Sequence, residues 1–454
     1  MTAMRRTPLD DWIAARIGLN PGQRPTPARL EGWQLARLNA TLEQACRQSP
    51  FYRRQWRGRA RPRLTDLEEI RALPFTSAED LRQDPLSLLC VSQSEVARVI
   101  TLRTSGTTGA PKRLFFSGEE LEATIDFFHY GMSTLVRPGE RVLILLPGDL
   151  PDSVGDLLRK GLSRMGGDGI VHGPVQDPVR TLQAIRDRHI DSLVGIPVQV
   201  LALARHPDGA RIGRGAIRSV LLSTDYVPRA IVAAIQAAWG CRVFQHYGMT
   251  EMGFGGGVEC AAQAGYHLRE ADLLFEIVDP VTGDPVSGGR PGEVVVTTLT
   301  RRAMPLIRYR TGDLAAWIDD PCPCGSALRR MARVRGRRQE LRRLADGIVL
   351  EMNALDEALF ALPEVINYQA TLRSGGSGEH LTVTLFAYQD DHRLPSRAAV
   401  ALEQLPALRA ATANGALRVD PIAVEKRLGF VAPTAKRTID DQRTTNVSLK
   451  DAIA

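Results

Sequence analysis

Three short, almost uninterrupted apolar runs constrain the fold more than any other feature of the chain: RVLILLPG at 141–148, SLVGIPVQVLALA at 192–204, which reads as a strand running into a helix, and SVLLST at 219–224, with CRVFQHYG at 241–248 as a further strand. A strand covered by helices on both faces has no solvent side and therefore no polar alternation. Helical patterns separate the runs, which predicts an α/β architecture with a largely parallel sheet. The texture changes at LLFEIVDPVTGDPVSGGRPGEVVVTTLT (273–300), where alternation broken by DP, TG, SG and GG predicts antiparallel hairpins. Residues 1–95 read as helices and loops, with Thr76 or Ser77 placed to cap a helix whose first turn carries Glu79 and Asp80. After GRRQE (336–340) the pattern starts afresh and suits a small α+β domain. The expected plan is an N-terminal domain over 1–335, with mostly parallel sheets flanked by helices plus an antiparallel β subdomain. A hinge at 336–340 and a mobile α+β domain over 341–454 complete it. Such a division is anticipated, because single cores seldom grow past roughly 250–300 residues.

A net charge of +7 raises nucleic acid as a partner. Only five of the 58 basic residues are lysine, at 112, 160, 426, 436 and 450, so the bias toward arginine reads as genome composition. The dense run LRRMARVRGRRQELRR (328–343) lacks interleaved aromatics, and a solvated hinge or a phosphorylated cofactor explains it as well. Nucleic-acid binding is the least favoured reading. No apolar run approaches the roughly 20 residues of a membrane span, and MTAMRRTPLDDWIAARIGLN lacks a secretory h-region. The expectation is a cytoplasmic protein without a membrane partner. In that setting the six cysteines are not expected to form disulfides.

The stretch TLRTSGTTGAPKRLFFS (101–117) concentrates hydroxyls, glycines and a lysine. Gly106 and Gly109 permit a tight turn and close approach to a ligand. Thr104, Ser105, Thr107 and Thr108 supply hydroxyl donors, and neighbouring N–H groups can form an anion nest. The combination suits phosphate. It is not the common nucleoside-triphosphate loop, since Pro111 precedes Lys112 and no Ser or Thr follows.

TSGTTGAPK resembles the phosphate-binding signature of the adenylate-forming superfamily, and its companions follow in order: HYGMTE (246–251), YRTGDL (309–314) and GRRQE (336–340). SPFYRRQW (49–56), LPFTSAEDLR (73–82), Glu259-Cys260 and AKRTID (435–440) are similar to the phenylacetate–CoA ligase-like branch. The resemblance covers roughly residues 40–440 and implies two half-reactions. A carboxylate attacks the α-phosphate of ATP, giving acyl-adenylate and pyrophosphate; a thiol, usually that of coenzyme A, then displaces AMP.

The resemblance also implies roles. Thr104, Ser105, Gly106, Thr107, Thr108, Gly109 and Lys112 would cradle the β/γ-phosphates. Tyr247, with Gly248 beside it, offers a flat face for adenine. Thr250 would bond the α-phosphate, and Glu251 would ligate Mg²⁺, a hard cation that prefers oxygen. Asp313 has two acceptor oxygens for the ribose hydroxyls, and Arg337 would lie near ribose and phosphate. Cys260, His267, Cys322 and Cys324 supply three thiolates and an imidazole, a set that suits tetrahedral structural zinc although the spacing is not the common CxxC knuckle. A similar set in some members of the branch supports it. Cys46, Cys90 and Cys241 read as packing residues.

Two departures stand out. The branch carries its adenylation lysine in Gly-Lys-Ala-x-Arg, whereas this chain reads Pro433-Thr434-Ala435-Lys436-Arg437. Lys436 lies two residues on, and i and i+2 share a face of an extended segment; it is the candidate replacement, with a merely structural role as the alternative. At the hinge, Gln339-Glu340 stand where an aspartate is common. An aromatic acid is suggested by the branch, and Phe127, Phe128, His129, Tyr130 and Phe254 are either pocket or ordinary core. A carrier-protein thiol as acceptor, a nucleotide-binding homologue with impaired adenylation, and a homodimer all stay open.

Overall fold

The computed structural model describes residues 7–57, 63–102, 111–376, 378–427 and 437–443. Packing divides the chain into two compact units, one of Met1–Glu140, Pro147–Val171 and Phe244–Val334, the other of Arg141–Leu146, His172–Val243 and Arg335–Ala454.

In the first unit, helix Pro27–Gln48 begins with Thr26 Oγ1 accepting from Arg29 N and with proline in its first turn, and buries Leu30, Leu38, Leu42 and Ala45. Helix Gly118–Met132 opens with a capping box between Ser117 and Glu120 and buries Leu121, Ile125, Phe127 and Phe128. Ser77 closes the first turn of helix Asp80–Gln83, donating from its N to Asp80 Oδ2 (2.7 Å) and accepting from Asp80 N (3.3 Å). Thr76 instead donates its hydroxyl to the Ile307 carbonyl, 2.7 Å away. The 273–300 segment forms the expected hairpin: Leu273–Val278 pairs antiparallel with Gly292–Thr298, which pairs antiparallel with Tyr309–Ala315. A second antiparallel series runs from the end of strand Arg242–Tyr247 through Gly257–Glu259, Tyr266–Leu268 and Arg330–Met331 to Trp317–Ile318. Strands Arg98–Leu102 and Lys112–Phe116 pair antiparallel and flank residues 103–110.

In the second unit, Arg141–Ile144, Ser192–Gly195 and Ser219–Leu222 are parallel neighbours with Ser192–Gly195 between the other two. All of its residues are buried, as continuous apolar runs require. The hydroxyls of Ser192 and Ser219 satisfy one another across the ladder at 2.8 Å. Helices Pro197–Arg205 and Arg229–Trp239 follow the second and third of these strands. The C-terminal part is built on the antiparallel hairpin Val365–Gly375 and Gly378–Ala387. Strands Leu417–Val419, Ala423–Lys426 and Asp440–Asp441 add to it in parallel, with helices Met352–Leu359, Leu394–Glu403 and Pro406–Ala413 in the same region. The architecture is therefore the anticipated large α/β domain with an antiparallel subdomain and a smaller α+β part.

Arg205, at the end of its helix, donates to the carbonyls of Phe360 (2.7 Å), Leu362 (2.9 Å) and Val365, which follow helix Met352–Leu359. Tyr388 Oη donates to the Ala202 carbonyl (3.0 Å) and Tyr226 Oη to Glu357 Oε1 (2.8 Å). Arg437 is paired with Asp356 and lies 3.7 Å from Asp225 Oδ2. No described helix is long and apolar enough to cross a membrane.

Candidate active site

Lys112 opens strand Lys112–Phe116, and Glu251 is the middle residue of the single 3₁₀ turn Thr250–Met252 that follows strand Arg242–Tyr247. Their side chains meet in an ion pair, Lys112 Nζ to Glu251 Oε1, with the lysine side chain 12% and the glutamate 2% exposed. Tyr309 Oη donates to the same carboxylate oxygen at 3.2 Å. Taking such a pair out of water is expensive, and removing one partner leaves an uncompensated buried charge. Thr250, half-buried, stands beside Glu251 in the turn. The turn needs Gly248, because a Cβ there would come within 2.4 Å of the Phe254 carbonyl oxygen.

Tyr247 and Asp313, 66 residues apart, are hydrogen-bonded: Tyr247 Oη donates to Asp313 Oδ2 at 3.0 Å, and both residues are buried. The Tyr247 ring stacks on Tyr266 with centroids 6.0 Å apart. Asp313 is turned by Gly312, whose φ of +78° favours glycine. Gly312 N donates to Glu293 Oε1 (3.1 Å), and Asp313 N donates to Thr311 Oγ1 (3.0 Å). The neighbouring His246 has its Nε2 sealed from solvent, and burial pushes its imidazole down from 6.5 to about 4, so the ring is neutral.

Four further side chains converge in this unit. The donor atoms of Cys260, His267, Cys322 and Cys324 all lie within 4.8 Å of one another and all four residues are buried. Cys260 Sγ is 3.7 Å from Cys322 Sγ, and Cys324 Sγ is 3.4 Å from His267 Nε2. Zinc bonds of about 2.3 Å to sulfur and 2.0–2.1 Å to nitrogen, set tetrahedrally, place ligand atoms about 3.6–3.8 Å apart. The donor set therefore fits. A hydrogen bond from Cys260 holds Cys324 down at about 3, while Cys260 itself is pushed up, first by that bond and then by burial. No disulfide joins any of the six cysteines; Cys90 and Cys241 are buried and Cys46 is half-buried.

The sequence-predicted residues thus fall into three groups. Lys112, Tyr247, Gly248, Thr250, Glu251, Asp313 and the Cys/His set lie in the first unit. Arg337 lies in the second unit, on strand Gly336–Arg337. Thr104, Ser105, Gly106, Thr107, Thr108, Gly109, Thr434 and Lys436 lie outside the described residues. Sequence reasoning missed Tyr309, although it begins the YRTGDL motif, and Arg301, which donates from Nη1 to the Glu251 carbonyl (2.8 Å).

Residues 95–300 match the family model for AMP-binding enzymes. The phenylacetate–coenzyme A ligase of Thermus thermophilus is 31% identical over 364 residues, spanning 77% of this chain and 79% of that protein. That of Escherichia coli is 26% identical over 376 residues, spanning 80% and 84%. In fold, a 2-hydroxyisobutyryl-CoA ligase solved in the postadenylation state with R3-HIB-AMP superposes with a TM-score of 0.76, covering 94% of each chain at 22% identity. Fold and site together define an adenylate-forming, AMP-binding enzyme. The chain belongs to the phenylacetate–CoA ligase-like branch of that superfamily. It is an acyl-CoA ligase, activating a carboxylate with ATP to an acyl-adenylate and then forming the coenzyme A thioester.

Proposed function

We propose that this ligase takes an aromatic carboxylic acid. The support is that the relatives matched over most of their length are phenylacetate–coenzyme A ligases. The helix aromatics do not decide the matter, since Phe127 packs edge-on against Trp12 (5.8 Å) as core.

Adenylation is assigned to the cluster around Glu251, and the observation that carries this is the buried Lys112–Glu251–Tyr309 contact. Glu251 offers a buried carboxylate suited to Mg²⁺, which when bound offsets charge on the phosphates. With a cation on Glu251, Lys112 would face the phosphates, together with Thr104, Ser105, Thr107 and Thr108 around Gly106 and Gly109. Thr250 bonds the α-phosphate. Tyr247 would cover adenine, and its hydroxyl, bonded to Asp313 Oδ2, would orient that carboxylate to accept from the ribose hydroxyls. Arg337 and Lys436 complete the reading from the 336–340 hinge and the 341–454 domain, Lys436 standing in for the lysine missing at 434. Cys260, His267, Cys322 and Cys324 hold a structural zinc that ties the segment before the hinge to the antiparallel strands.

The test is AMP and pyrophosphate release on the metal-intact chain with Mg²⁺ across aryl and alkyl acids, with and without coenzyme A. An aryl acid is expected to be preferred, and Lys436→Ala to lower adenylation by about 10². Preference for a short alkyl acid overturns the substrate assignment. Parental adenylation in Lys436→Ala overturns the lysine's role. Acyl-adenylate formation that coenzyme A does not discharge points instead to a carrier-protein thiol.

A further inference from the structure

We infer that Arg301 is a positioning residue for adenylation, its guanidinium fixing Lys112 and Glu251 relative to one another; the inference rests on the assignment of that pair to the nucleotide site. Arg301 is 7% exposed. Its two terminal nitrogens reach separate parts of the chain: Nη1 donates to the carbonyl of Glu251 (2.8 Å) and Nη2 to the carbonyl of Phe115 (3.0 Å). Phe115 belongs to the strand that Lys112 opens. One planar fork therefore ties together the two backbones whose side chains make the ion pair, a geometry lysine's single ammonium does not reproduce.

The fork is itself held in place. The guanidinium carbon lies 4.4 Å from the Phe116 ring centroid, and Glu120 Oε2 lies 3.9 Å from Arg301 Nε. Glu120 Oε1 accepts from the backbone N–H groups of Arg302 and Ala303, both at 2.7 Å, which fixes the chain that carries Arg301. Arg301 Nε has no hydrogen-bond partner among the described residues. An aliphatic side chain would fill the space without that desolvation penalty. The guanidinium is thus placed for the two carbonyls rather than for packing.

A cavity of about 490 Å³ adjoins it, lined by Phe116, Thr124, Met252 and Gly253 among others. Charged groups farther along its wall satisfy one another, Asp272 receiving both Arg16 and Arg269 at 2.7 Å. Truncating Arg301 therefore leaves a guanidinium-sized space that opens onto a cavity, which makes chemical rescue feasible.

The experiment uses the full chain with its metal bound and compares Arg301→Ala, Arg301→Lys and Glu251→Gln. Thermal melting monitors folding. Acid-dependent ATP–pyrophosphate exchange at varied Mg²⁺ and ATP reads adenylation, and coenzyme A discharge of supplied acyl-adenylate reads the second half-reaction. Displacing a reacting group by about 1 Å costs about 10²-fold. Arg301→Ala is accordingly expected to lose about that factor in adenylation, to keep acyl-adenylate discharge, and to regain about tenfold in millimolar guanidinium. Arg301→Lys, which keeps charge and bulk, is expected to lose about tenfold and carries the test should the alanine variant not fold. Adenylation within about threefold of the parent in a folded variant, equal loss in both half-reactions, or no rescue overturns the inference. Full adenylation by Glu251→Gln instead overturns the site assignment beneath it.

Discussion

Replacing Cys324 by serine removes one donor from a set that closes on a single point. The magnitude follows from the geometry. Two separations, 3.7 Å between sulfurs and 3.4 Å from sulfur to nitrogen, already match tetrahedral zinc, and with all donors within 4.8 Å of one another a contraction of about 1 Å completes the set. A site so nearly formed is expected to bind zinc tightly and to add the binding free energy to folding. A site whose dissociation constant lies about a thousandfold below the free ion concentration contributes about 4 kcal/mol, which in a chain of 454 residues corresponds to a melting temperature about 4 °C higher. The parent is expected to carry one equivalent of zinc by elemental analysis, and a thiol-selective reagent is expected to release it. Cys324→Ser is expected to fall well short of one equivalent and to melt about 4 °C lower. Chelation of the parent should reproduce the shift, and added Zn²⁺ should reverse it. A zinc-free parent with full activity and a melting temperature equal to that of Cys324→Ser would refute the reasoning.

Two further outcomes are expected. Tyr247→Phe keeps the ring and removes the donor to Asp313; one such bond, about 1–1.5 kcal/mol, should raise KM for ATP about 5–10-fold with little change in kcat, and an unchanged KM would sink the assignment. His246, held at about 4 against 6.5, stays neutral when folded while the unfolded chain takes up a proton below 6.5. Its stability contribution is therefore full above 6.5 and lost as pH falls toward 4, by up to about 3 kcal/mol. Urea melts at pH 7.5 and 5 should show His246→Gln losing less stability than the parent between those pH values, and an equal loss would refute it.

The apolar runs made the parallel strands legible because burial on both faces leaves an unmistakable pattern; the register between strands has no such signature. The convergence of Cys260, His267, Cys322 and Cys324 was legible because histidine and cysteine are scarce here, eight and six residues. Glu251 and Asp313 were legible through their motifs, whereas the contacts that hold them were not. Arg301 and Arg205 act through backbone carbonyls, an interaction that constrains the arginine but no particular partner side chain. Arginine is also so abundant in this chain that a single one carries no signal. Tyr309 was hidden differently: it begins a motif whose recognisable part is the TGD that follows.

The three carbonyls gathered by Arg205 bear on kinetics. Charge-assisted bonds to Phe360, Leu362 and Val365 share one guanidinium, so the segment after helix Met352–Leu359 cannot drift from Arg205 by degrees. Withdrawing the cation from one oxygen disturbs its alignment with the other two, and all three must be handed to water within the same event. A rearrangement that parts them behaves like the drawing of a bolt: brief, all-or-none and separated from its reverse by a definite barrier. Arg205→Lys would keep the charge but lose the fork, so the carbonyls would no longer be released together.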